Sequence, residues 1–216
     1  MSVTLLDIYN KVTAQSWSIY ESGLSENDEF EQSVIIAIQK ALRTIWNAYS
    51  YSFRLKNTII STCENAIFYP RPCGNIVKNG VRLLKENKIL KPVHYSKLGA
   101  PVLGKPEYFF IKYNKLGFSP VPDGEYLISI DYNTFKLGKN AQGQGVYNLE
   151  NLSDMLDVPQ MFEDLFIHAL TNKAMLNALA SGKSELYEPY LAQFLSSYKN
   201  LVLNTNGIEF EKEIKW

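Results

Sequence analysis

The hydrophobic period of this chain changes twice, and those changes constrain its fold more than any other feature. Val34, Ile38, Leu42, Ile45 and Tyr49 recur at spacings of three and four, and Ile35 and Trp46 widen the stripe. That is the pattern of an amphipathic helix with one apolar face. Asp28 and Glu31 read as a capping box in front of it, so a helix is predicted over 27–49. A shorter helix is expected over 4–15, with Leu5, Ile8, Tyr9 and Val12 on one side.

Beyond Tyr51 the period falls to two. Phe53 and Leu55 alternate with Arg54 and Lys56, and Tyr126, Ile128, Ile130 and Tyr132 alternate with Leu127, Ser129 and Asp131. Side chains at every second position share one face of a strand. Tyr108–Tyr113 is β-branched and aromatic enough to be another strand. Asn79-Gly80 tolerates positive φ and predicts a two-residue hairpin turn between residues 76–78 and 81–84. Pro120-Val-Pro-Asp-Gly124 must turn the chain, because two prolines cannot donate to a ladder.

The helical period returns after Asp157-Val-Pro-Gln160, where Asp157 can cap and Pro159 fits a first turn. Phe162, Leu165, Phe166, Ala169 and Leu170 form one stripe, which Ser181-Gly-Lys-Ser184 ends. Tyr187, Tyr190, Leu191, Phe194, Leu195, Tyr198, Leu201 and Val202 form the next. The expected fold is therefore α+β: a helical bundle built from residues 1–50 and 157–203, with a β-rich subdomain, 51–137, inserted between them. The polar, glycine-rich stretch 138–156 reads as a mobile loop. Residues 204–216 read as an extended tail whose Ile208, Phe210, Ile214 and Trp216 are apolar anchors for a partner's groove.

At 216 residues the chain is long enough to bury a core without staples. No apolar run approaches a membrane span, and Met1–Asp7 has no basic-then-apolar leader. Two cysteines give no disulfide framework and fit a reducing compartment. Net charge is zero, with 22 basic and 22 acidic residues, but it is unevenly spread. Residues 51–105 hold 10 basic against 2 acidic residues, whereas residues 151–216 hold 5 against 9. A basic middle between acidic ends suits head-to-tail contact between copies, or a surface facing an anion. The residues expected to face that anion or a subunit seam are Arg54, Lys56, Lys78, Arg82, Lys85, Lys88 and Lys91. The same set supports an alternative, a nonspecific nucleic-acid-binding module.

Catalytic patterns are missing from the sequence. Ser181-Gly-Lys-Ser184 resembles the end of a phosphate-binding loop, but Asn177 stands where that loop needs glycine. Gly143 and Gly145 lack a third glycine at Asn148. His94 and His168 are the only histidines, too few for a multi-histidine metal site. His168 reads as an interior or interface side chain, and Glu163 and Asp164 as a solvated face. Neither Cys63 nor Cys73 has a local activating partner. The expectation is a non-enzyme with no catalytic residue, no metal and no cofactor.

Three stretches in order resemble the head-to-tail adaptor proteins of short-tailed bacteriophages, also called connectors or tail tubular or accessory proteins. Ala41–Arg54 is a helix ending in an aromatic turn that leads into a strand. Phe118–Tyr132 is a proline-rich turn followed by an aliphatic strand. Asp157–Leu170 is a proline-led, phenylalanine-rich helix start, with Val158 before Pro159 and Gln160-Met161 where the family has acidic residues. The likeness covers about Asp28 to Lys199. It implies a structural virion protein at the head–tail junction, assembled in the host cytoplasm as a homo-oligomeric ring, usually a dodecamer, below the portal. It further implies a C-terminal tail docked on the portal protein, contact with tail or nozzle proteins, transient nonspecific contact with genomic DNA in a central channel, and no membrane partner.

Overall fold

Thr4 shows how the first helix begins. Its hydroxyl and amide donate to the Asp7 carboxylate at 2.7 and 2.9 Å, and the Asp7 amide donates back to the hydroxyl at 3.2 Å. This reciprocal cap satisfies amide groups that a helix start leaves without partners. It was not anticipated from the sequence. The expected cap at Asp28 and Glu31 has its side chains outside the described residues. The computed structural model of the chain describes residues 3–20, 28–48, 50–179 and 187–205.

Among the described residues there are four helices and eleven strands in three sheets. The helices are α1 (Leu5–Tyr20), α2 (Asp28–Ala48), α3 (Gln160–Leu179) and α4 (Tyr187–Thr205). The longer strands are β1 (Leu55–Ser61), β3 (Gly74–Leu83), β6 (Tyr108–Lys112), β7 (Lys115–Ser119) and β8 (Leu127–Thr134). The short ones are β2 (Phe68–Pro70), β4 (Lys88–Ile89), β5 (Lys91–Pro92), β9 (Gly138–Lys139), β10 (Gly145–Val146) and β11 (Met155–Leu156). The described parts of residues 1–53 and 136–209 form one compact unit, and residues 54–135 form another.

This corrects the expected helical bundle with a β-rich insert. The fold is a mixed α+β arrangement, and the unit that holds the helices has a sheet of its own, ordered β10-β9-β11. Its strands come from the stretch read as a mobile loop. Gly138 in β9 lies so close to the Met155 carbonyl and the Leu149 side chain that a Cβ would collide with both. Asn140 accepts the amides of Gln142 and Gln144 at 3.1 and 2.9 Å, closing the turn, and Gly143 takes a φ of +76°. Polar, glycine-rich sequence here encodes close backbone approach.

In the helix-containing unit, α3 packs on α1, α2 and α4. Leu5, Ile8 and Val12 of α1, Val34, Ile38, Leu42, Ile45 and Trp46 of α2, and Phe166, Leu170 and Ala174 of α3 make the buried core. The α4 stripe is narrower than its sequence suggests. Leu201 is buried and Tyr190, Phe194, Tyr198 and Val202 are partly covered, but Leu195 and Tyr187 are exposed.

The second unit holds two four-stranded sheets, ordered β1-β8-β3-β4 and β2-β7-β6-β5. Ile76, Val81, Ile128, Ile130, Phe109, Leu116 and Phe118 fill its core. Buried Leu90 is the single residue between β4 of one sheet and β5 of the other. Asn79-Gly80 is not the expected hairpin turn. Both residues lie inside β3, where the pairing with β8 shifts register between Ile76 and Val81 and Asn79 takes a φ of 59°. Positive φ serves a bulge as readily as a turn.

Candidate interaction surfaces

The sheet β1-β8-β3-β4 has one buried face and one open face. Ile128 and Ile130 of β8 point into the core, so Leu127, Ser129 and Asp131 point out. The register aligns Ile59, Ser129, Arg82 and Ile89 in one row across the four strands on the open face. Ser61 and Leu127 form the next row, beside Leu84, whose amide donates to the Leu127 carbonyl at 2.9 Å. Ile59 is 57% exposed and Leu127 50%, and Leu84 and Ile89 are also exposed. Polar ties frame these apolar residues. The Asn57 side chain donates through Nδ2 to Ser129 Oγ at 2.7 Å and Asp131 Oδ1 at 2.6 Å, and Ser61 Oγ donates to Glu125 at 2.7 Å.

A groove of about 720 Å³ runs beside this face, lined by Leu83, Leu84, Lys85, Glu86, Glu125, Tyr126 and Leu127. Tyr126 donates to Asp123 Oδ1 at 2.7 Å, and that bond raises the phenol above its ordinary pKa.

The structure divides the seven basic residues expected to act together. Arg82, Lys85 and Lys88 do share the β3–β4 hairpin, and all three are exposed. Lys91 follows in β5 of the other sheet, Lys78 lies within the β3 irregularity between Ile76 and Val81, and Lys56 is half-buried in β1. Arg54 is corrected outright. It is 3% exposed, and its Nε and Nη2 each donate to the Thr134 carbonyl at 3.2 Å, so it faces neither an anion nor a seam. It occupies a 3-10 turn, Ser52–Arg54, ahead of β1, where alternation does not apply. Lys88 already has a carboxylate, Glu107, at 3.0 Å. That bond first, and then the charges of Lys88, Lys91 and Lys105, hold Glu107 below its ordinary pKa. Lys105 pairs with Glu86. The anchors expected in the tail, Ile208, Phe210, Ile214 and Trp216, lie outside the described residues, as does Ser181-Gly-Lys-Ser184.

No family model matches the chain, and no curated protein matches it.

Local geometry therefore carries the chemical reading. His168 is exposed, not interior, and lines a shallow groove of about 670 Å³ with Lys11, Ala14, Asp164, Leu165, Ile167 and Thr171 from α1 and α3. His94 caps a short turn through Nδ1, which accepts the Ser96 amide at 3.3 Å. Cys63 and Cys73 are free and exposed. Among the described residues, no three His, Cys, Asp or Glu side chains gather where a metal ion could be held.

Charge follows the two units. Counted from the sequence, residues 54–135 carry 12 basic against 6 acidic residues, a net charge of +6. Residues 1–53 and 136–209 carry 8 against 14, a net charge of −6. Such surfaces attract the opposite surface of another copy and repel their own kind.

Proposed function

We propose that the chain is a structural head–tail adaptor of a short-tailed bacteriophage. It assembles with its own copies into a ring below the portal, joins capsid to tail, and leaves a channel for DNA. The observation that carries this reading is the opposition of charge between the units, +6 against −6. A ring of identical chains uses heterologous contacts, in which one patch meets a different patch of the next copy. Opposite charges on two parts of one chain supply the two complementary patches that such a contact uses.

The sequence likeness adds support in a particular way. Two of its three stretches meet in one aromatic cluster. Trp46, Tyr51 and Phe53 from the first pack on Phe162 and Phe166 from the third, with ring centroids 5.1–6.2 Å apart. The Tyr51 hydroxyl donates to the Ile45 carbonyl at 2.8 Å, fixing the turn between helix and strand.

Electron microscopy of the purified chain, alone and mixed with the portal protein of the same virion, tests the proposal. Rings seated on the portal are expected, with assembly weakening as salt screens the charge. A chain that stays monomeric beside the portal at every salt concentration overturns it. Salt-steep retention of that monomer on duplex DNA would select the nucleic-acid-binding alternative.

A further inference from the structure

β1 is the terminal strand of its sheet, with β8 on one side and, among the described residues, no strand on the other. It is seven residues long, pairs with β8 over its whole length, and contains no proline. Long edges of this kind are templates for another strand, and proteins usually blunt them. The phase of its ladder is fixed. The Thr62 amide donates to the Tyr126 carbonyl directly opposite, at 2.9 Å. Alternation along an antiparallel pair then turns the amides and carbonyls of Asn57, Ile59 and Ser61 away from β8, towards the open edge. The apolar side chains nearest that edge on the open face are Ile59 and, one strand in, Leu127. On the opposite, core-facing side the strand carries Lys56, Thr58 and Ile60, with Lys56 at its outer end opposite Tyr132.

The sequence holds a strand that fits. Residues 208–216 read Ile-Glu-Phe-Glu-Lys-Glu-Ile-Lys-Trp. Ile208, Phe210, Ile214 and Trp216 share one alternating set with Lys212, and Glu209, Glu211 and Glu213 share the other with Lys215. A mainly apolar row suits the open face beside Ile59, and a mainly acidic row suits the rim of the other face, where Lys56 stands, on a unit of net charge +6.

We infer that residues 207–216 of one copy add to the β1 edge of a neighbouring copy as a fifth strand. The choice of a neighbouring donor rests on the self-assembly proposed above. The apolar row covers Ile59 and Leu127, and the backbone of Asn57, Ile59 and Ser61 gains its missing ladder.

Hydrogen exchange on the full chain, joined to sedimentation, tests this. In the assembled chain the amides of Asn57, Ile59 and Ser61 exchange at least about tenfold more slowly than in Phe210→Pro, which removes a ladder donor from the tail. Ile59→Pro blocks the edge while sparing the bonds to β8, and Ile59→Lys is a second edge variant that keeps its amide. Each variant alone fails to assemble, whereas Phe210→Pro mixed with either edge variant forms one-to-one pairs, because one supplies an intact edge and the other an intact tail. If all variants assemble like the parent and the three amides exchange freely, strand donation is overturned and the ring reading stands. Protection that persists in a monomer, independent of concentration, overturns the neighbouring donor and seats the tail on its own edge. A monomer with no protection removes both readings.

Discussion

The two units of this chain reach order by different routes. Residues 54–135 are contiguous, and their core is built where sheets face each other through Ile76, Val81, Ile128, Ile130 and Phe118. The helix-containing unit is assembled from both sides of that stretch. Its aromatic cluster joins Trp46, Tyr51 and Phe53 to Phe162 and Phe166, more than a hundred positions later in sequence. One unit closes short loops and the other must close a long one, a difference set by chain connectivity alone. It also separates charge, since the contiguous unit is basic and the composite unit acidic.

Paired truncations challenge this comparison most strongly. Phe166→Ala removes a ring that contacts Trp46, Tyr51 and Phe53, and should cost about 3–5 kcal/mol. Ile130→Ala opens the other core and should cost about 2–5 kcal/mol. Denaturant unfolding followed by the fluorescence of Trp46, with Trp17 and Trp216 replaced by Phe, should respond mainly to the first, and hydrogen exchange in β8 mainly to the second. Equal response of both probes to both variants would show that the units unfold as one.

A smaller effect is expected at Gly138→Ala. The new methyl group would meet the Met155 carbonyl, which belongs to the neighbouring strand and cannot swing aside. About 1–3 kcal/mol should be lost, read as a lower denaturation midpoint, while β1–β8 protection is kept.

Thr4→Ala deletes the hydroxyl half of the α1 cap and should cost about 1 kcal/mol, visible as faster amide exchange in the first turn. The smallest effect is the pH dependence of the same cap. The Thr4 side-chain bond, followed by its backbone bond, holds the Asp7 carboxyl below its ordinary pKa. A carboxylate depressed in the folded state contributes stability above its unfolded pKa and loses it as pH falls through the folded value. Asp7→Asn should therefore flatten the acid limb of the stability profile slightly, and carbon-detected titration should find Asp7 ionised below the usual carboxylate range.

Elements with a local cause could be read from sequence. The α2 stripe of Val34, Ile38, Leu42 and Ile45 and the β8 alternation of Ile128 and Ile130 both survive in the structure, because period alone determines which face an element buries. Features that depend on a distant partner could not be read. Asn79-Gly80 encodes positive φ, but only the strand opposite makes that a bulge in place of a turn. Arg54 reads as an outward strand residue until the Thr134 carbonyl is brought beside it. The bundle with an insert failed for the same reason: Gly138, Leu149 and Leu156 resemble linker residues until their pairing brings them into a core. Of the surface, the basic β3–β4 hairpin was legible as a cluster, whereas the open edge of β1 depends on which strands lie beside it.

The start of α1 carries a consequence for synthesis. The amides of Leu5 and Leu6 donate to the carbonyls of Asp154 and Leu152, at 2.9 and 3.0 Å, and Leu156 donates to Val3 at 2.9 Å. A ribosome releases the receptors of those bonds only after all of residues 54–135 has emerged. The first helix made thus waits for its leading end to be fastened, and the nascent chain must carry it unlatched while the strands behind it find one another.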